Sequence, residues 1–153
     1  MSEGAPHWRV FPWDPEAEDG APFSASFVPV QGAGRFDVPG VPVCYLGEFP
    51  EHAVGERLLR FRGRTLNEAD LLHAGRALAL ARVVVAGRAV DALADCCDPA
   101  VLFRLRLRPD TLASLHLART QAVAAAVREA GHAGLRWWSS RSEERRVGKE
   151  CRL

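Results

Sequence analysis

Five side chains carry the chemistry this sequence offers: Arg9, Arg35, Tyr45, Glu56 and Ser139. Two are guanidiniums, which pair with phosphate or carboxylate oxygens through charge-assisted hydrogen bonds. One is a carboxylate and two are hydroxyls. The better-known site motifs are missing. There is no G-x-x-x-x-G-K-[ST], no G-x-G-x-x-G, no H-E-x-x-H and no G-x-S-x-G. His7, His52, His73, His116 and His132 show no ligand spacing, so no metal site is expected. From pattern alone each of the five also has a structural reading. Arg9 alternates with apolar neighbours and would face solvent. Arg35 would form a loop salt bridge, worth little when exposed. Tyr45, the sole tyrosine, would be a core aromatic with its hydroxyl at the surface. Glu56 lies about 200° from Val54 on a helical wheel, off the apolar stripe. Ser139 would end a strand.

The elements that position these residues follow from periodicity and punctuation. His7–Phe11, HWRVF, reads as a strand with Trp8 and Val10 on one face and Arg9 on the other. Residues 12–32 are rich in Pro, Gly, Ala and Ser, with acids at Asp14, Glu16, Glu18 and Asp19. They read as a long surface loop. Gly34–Asp37 reads as a short extended piece, Pro39-Gly40 as a turn and Val41–Leu46 as a buried strand. Pro50 opens a helix to about Phe61, with Glu51 in the dipole-favoured first turn. Val54, Leu58 and Phe61 form its stripe. Residues 62–79 stay ambiguous between loop and weak helix. Ala81–Val90 has the β-branched density of one or two strands. Asp98 caps a helix starting at Pro99, with Val101, Leu102 and Leu105 inward. Thr120 is the expected cap of a helix over Gln121–Ala130, ended by Gly131. Gly134–Ser139 is the last strand. Strands interleaved irregularly with helices predict an α+β domain.

Composition sets the outer bounds. The 153 residues are 48% hydrophobic and 25% charged, with a net charge of +1. That is one globular domain with no basic footprint for nucleic acid. No apolar run spans a membrane, and the N-terminus lacks a signal-peptide pattern, so a cytoplasmic protein is expected. Cys44, Cys96, Cys97 and Cys151 contain no C-x-x-C pair and read as reduced thiols. Every basic residue before Arg141, apart from histidine, is arginine. The single lysine is Lys149, in the charged tail RSEERRVGKECRL. Arg141–Cys151 resembles the translation of a DNA adaptor used in short-read sequencing. The expected organisation is therefore a domain over 1–140 and an adaptor-derived tail over 141–153. Excluding the tail leaves an open edge beside the last strand.

Order and context add a resemblance. HWRVF, GRFD with Pro39-Gly40, PVCYLGEFPEHAVGERL, RTQAVAAAVREAGHAGL and RWWSS follow one another as in the RES domain family, named for its Arg, Glu and Ser. The likeness covers roughly residues 7–140. It implies an ADP-ribosyltransferase-like α+β fold with NAD in a cleft between two small sheets. It implies the toxin of a type II toxin–antitoxin pair, destroying NAD with phosphate as acceptor and neutralised by an Xre-like helix-turn-helix antitoxin. Carried over by motif, the catalytic positions are Glu56, Tyr45 and Ser139, the last preferred to Ser140 because it follows Trp137-Trp138. Arg35 and Arg9 bind NAD, and no metal takes part.

Those residue types suit that reaction. Guanidiniums match a pyrophosphate. Nicotinamide leaves as a neutral group while positive charge builds on the ribose, and a carboxylate nearby lowers the barrier. Tyr45 would stack on nicotinamide or bond a phosphate, and Ser139 would hold the carboxamide or a ribose hydroxyl. Two alternatives remain. One is a catalytically inactive or NAD-binding RES-like module without a toxin role, against which the presence of Glu56 argues. The other is a small α+β interaction protein, which a missing cleft beside the Glu56 helix would favour.

Overall fold

Side-chain alternation along the first strand decides which way Arg9 points. In the computed structural model, which describes residues 4, 6–138 and 149–152, β1 runs Pro6–Pro12 with His7 and Phe11 buried. A strand has period two, so Arg9 shares their interior face. It does not face solvent, as alternation with apolar neighbours suggested.

β1 pairs over seven residues with β4, Arg76–Val84, in antiparallel register from Pro6↔Val84 to Pro12↔Leu78. A two-residue strand β3, Leu72–His73, borders β4. On its other side β1 meets β2, Tyr45–Gly47, through the single register pair Trp8↔Gly47. Beyond that seam the order continues β2-β7-β6-β5, with β5 at Leu93–Asp95, β6 at Gly134–Trp138 and β7 at Lys149–Arg152. The pair β5–β6 is parallel and β7 is antiparallel to both neighbours. The protein is thus mixed α/β, with two small strand groups meeting at one seam. β7 comes from the tail expected to lie outside the domain, and it fills the edge expected to be open beside β6.

Helices cover the β5–β6 group. α3, Pro99–Arg104, starts as expected, with the Asp98 carboxylate accepting from Ala100 N–H. α4 is one turn, Pro109–Leu112. α5 runs Leu117–Glu129 and ends before Gly131, whose φ of 88° suits a residue without Cβ. Val101, Leu102, Leu112, Val123, Val127 and Leu135 close around Trp137, which is 1% exposed and tilted against Phe36 at 4.6 Å. Burying each such side chain contributes roughly 1.5–3 kcal/mol. A smaller core lies around Leu46 and Val85.

Several expectations fail for local reasons. Gly34–Asp37 is a turn, not an extended piece, closed by Asp37 N–H donating to Gly34 C=O. Of Val41–Leu46, only Tyr45 and Leu46 join a strand. Pro42 has no N–H for a ladder and makes one isolated bridge to Val30. After β4 the chain turns into a short helix α2, Gly87–Asp91, where more strand was expected. Thr120 lies inside α5 rather than capping it. Its hydroxyl donates back to Leu117 C=O, and His116 is the N-cap.

The helix opened by Pro50 forms as expected. α1 spans Pro50–Leu58 and tightens into a 3-10 turn over Leu59–Phe61. Its stripe of Val54, Leu58 and Phe61 is half-buried. α1 packs on β1, β2 and β4, and so lies across the seam. Among the described residues no helix is long and apolar enough to cross a membrane.

Candidate functional site

A cavity of about 640 Å³ opens where β1, β2 and α1 meet the loop after β1. The size lies within the roughly 300–1,000 Å³ common for small-molecule sites. Arg9, Arg35, Tyr45 and Glu56 all line it. Residues from four separate segments thus reach one space. Ser139 and Ser140 lie outside the described residues.

Tyr45 reaches this place from β2. Its hydroxyl donates to Asp37 Oδ1 at 2.6 Å and accepts from Phe36 N–H at 3.2 Å. The other carboxylate oxygen, Oδ2, accepts from Gly34 N–H at 2.7 Å. The phenol is therefore tied into the GRFD turn, and Asp37 is 1% exposed beneath it. Gly34 is required here. A Cβ at this position would collide with the Tyr45 hydroxyl and the Asp37 carboxylate.

That turn aims Arg35. Its Nη2 donates to Leu112 C=O at 2.6 Å and to Ser114 C=O at 3.3 Å, and its guanidinium lies 5.3 Å from the Phe36 ring centre. The carbonyls at the end of α4 are natural partners for a cation. Arg35 lines the cavity while anchored to the helical half of the molecule.

Arg9 is anchored to the loop. Its Nη1 donates to Phe27 C=O at 2.8 Å and to Ala25 C=O at 3.3 Å. It thereby holds the segment whose Phe23, Ser24 and Phe27 form one cavity wall. Cys44 lies beside it. Burial pushes this thiol above its ordinary range, and the neighbouring guanidinium offsets only part of that. Burial thus favours the protonated thiol at Cys44.

α1 contributes Glu56 together with two residues the sequence did not point to, His52 and Arg57. His52 is one turn before Glu56 and shares its face. The wheel that placed Glu56 opposite Val54 also places His52 there, so that signal was available. Arg57 lies about 60° from Val54 on the wheel, nearer the apolar stripe. No sequence pattern marks it. His52 Nδ1 and Arg57 Nε and Nη2 are buried with no hydrogen-bond partner among the described residues. Burial, and then Arg60, hold the Arg57 pKa below the ordinary guanidinium range. His73, also on the lining, is lowered by burial and then by Arg57 and Arg60, which keeps it neutral at pH 7.

Among the described residues the charged lining is three guanidiniums against one carboxylate, Glu56. Such a cavity attracts an anionic ligand. Its negative charge is at Glu56, on α1. Among the described residues no group of three or more His, Cys, Asp or Glu is placed to hold a metal ion.

The family model of the RES domain matches residues 6–149 of this chain. No curated protein and no solved structure matches it.

Proposed function

We propose, since this chain belongs to the RES domain family and its cavity sets one carboxylate among three guanidiniums, that it is an NAD-consuming enzyme. It breaks the bond between nicotinamide and ribose and passes the ADP-ribosyl group to phosphate. In the cell it acts in the cytoplasm as the toxin of a toxin–antitoxin pair, held in check by an Xre-like helix-turn-helix protein. The fold this reading adopts is ADP-ribosyltransferase-like, with NAD lying across the seam between the two strand groups.

The observation that carries the reading is the charge pattern of the cavity. NAD brings a pyrophosphate, which guanidiniums recognise. A guanidinium carries five N–H donors, more than one or two backbone carbonyls take up. Arg35 and Arg9 take that role, each positioned by backbone carbonyls. Tyr45, fixed by Asp37, offers its ring to nicotinamide. Ser139 follows β6 in sequence and takes the carboxamide or a ribose hydroxyl.

As the glycosidic bond breaks, its electron pair neutralises the pyridinium nitrogen, and positive charge moves to the ribose. Glu56 stabilises that charge. One preorganised electrostatic partner of this kind is worth roughly 10²–10³ in rate.

The test is NAD loss followed by chromatography, with and without phosphate, in the wild-type protein and in Glu56→Gln. Phosphate-dependent loss in the wild type, reduced about 10²–10³-fold in Glu56→Gln with NAD still bound, is expected. No loss in a folded wild-type protein that binds NAD would instead make it a binding module.

A further inference from the structure

The three cavity guanidiniums are not equivalent. Arg9 spends Nη1 on Phe27 and Ala25 carbonyls, and Arg35 spends Nη2 on Leu112 and Ser114 carbonyls. Arg57 makes no ion pair or hydrogen bond at Nε or Nη2 among the described residues, though both atoms are buried. Leaving buried charged donors unpaired is costly, and proteins accept the cost where a ligand completes the pairing. The two atoms also lie on one edge of the guanidinium. Nε–H and one Nη2–H run parallel, the fork that takes two oxygens of one phosphate.

Placement narrows the ligand. Arg57 directly follows Glu56 on α1, and both line the cavity. The negative charge that stabilises the ribose cation and the empty fork thus sit on adjacent residues. His52, whose buried Nδ1 has no hydrogen-bond partner among the described residues, adds a second polar group on the same helix. Burial and Arg60 both weaken the protonated form of Arg57, and no carboxylate offsets them. An oxyanion would supply the missing counter-charge.

We propose that Arg57 binds the inorganic phosphate acceptor through its Nε–Nη2 edge and holds it beside Glu56. This rests on the NAD phosphorolysis reading and names the residue that sets its acceptor. In that step a phosphate oxygen bonds to the ribose C1 as the bond to nicotinamide breaks. The departing electron pair neutralises the pyridinium nitrogen, and the proton of hydrogen phosphate stays on the phosphoryl group. Charge and atoms balance with no further reactant. Phosphate oxygens could also come from the pyrophosphate of NAD, so the experiment separates the two sources.

Arg57→Gln, Arg57→Lys and Arg60→Gln are compared with the wild type, with folding checked by circular dichroism. The KM for phosphate is expected to rise roughly ten- to a hundredfold in Arg57→Gln, the scale of a lost charged hydrogen-bond pair. The KM for NAD should move by less than about threefold. Arg57→Lys recovers charge but not the fork, so its phosphate KM falls between. Arg60→Gln removes a neighbouring exposed charge and leaves the phosphate KM unchanged. A rise confined to the NAD KM would place the pyrophosphate there and overturn the proposal. An equal effect of Arg60→Gln, showing only a general field, would do the same. Inorganic phosphate is also titrated without NAD, followed by ³¹P line broadening. Broadening by the wild type that is lost in Arg57→Gln supports the site even if no NAD is consumed. Equal broadening by both overturns it even if NAD is consumed.

Discussion

The Tyr45 hydroxyl donates to Asp37 Oδ1 at 2.6 Å, and this bond joins β2 to the turn that carries Arg35. The only tyrosine of the chain therefore has a structural partner as well as a place on the cavity wall. Tyr45→Phe keeps the ring and removes the donor. Asp37, almost fully buried, then loses one of its pairings. The expected loss of stability is about 1–3 kcal/mol, read as a lower urea midpoint. An unchanged midpoint would mean that the turn is held without this bond.

Arg35→Ala should act twice. It removes the donor to Leu112 and Ser114 carbonyls, which ties the GRFD turn to the end of α4. A hydrogen bond from a charged group is worth about 1.5–3 kcal/mol, so the melting temperature should fall. It also removes one cavity cation, so NAD affinity should fall in titration calorimetry. Undiminished affinity in the folded fraction would confine Arg35 to its structural part.

Cys96 is fully buried, and burial, then Cys97 and Asp95, push its thiol up to about 12. In the unfolded chain it would ionise near 9. Above that value the unfolded state loses a proton that the folded state keeps. The stability contributed by the protonated thiol is full below pH 9 and is lost as pH rises toward 12. Cys96→Ala should therefore flatten the decline in urea stability between pH 9 and 11. A decline of unchanged slope would assign the alkaline loss to other groups.

Deleting residues 149–153 removes β7 from between β2 and β6. Both strands then expose unpaired edges, so a lower melting temperature and concentration-dependent aggregation by light scattering are expected. A deletion variant that stays monomeric at full stability would show that β2 and β6 do not need the added strand.

Punctuated elements were legible because their signals are local. Asp98-Pro99 opens α3 by side-chain capping, and Pro50 opens α1 with its fixed φ. The GRFD turn was not legible, because what closes it is a distant phenol and a carboxylate folded back on Gly34 N–H. Thr120 is as good a cap by type as any, but Leu117 C=O captured its hydroxyl one turn inside the helix. Arg9, Arg35, Tyr45 and Glu56 could be nominated by motif order, yet only the fold shows what anchors the first three. Arg57 left no trace in the sequence, since its distinction is that Nε and Nη2 are buried without a hydrogen-bond partner among the described residues.

The single pair Trp8↔Gly47 makes the junction of the two strand groups the narrowest joint in the sheet, against seven pairs between β1 and β4. In mechanical terms the molecule is two stiff plates held by one rivet, with α1 laid across as a brace. Glu56 rides on it, so a tilt of one plate against the other would carry that carboxylate with the brace.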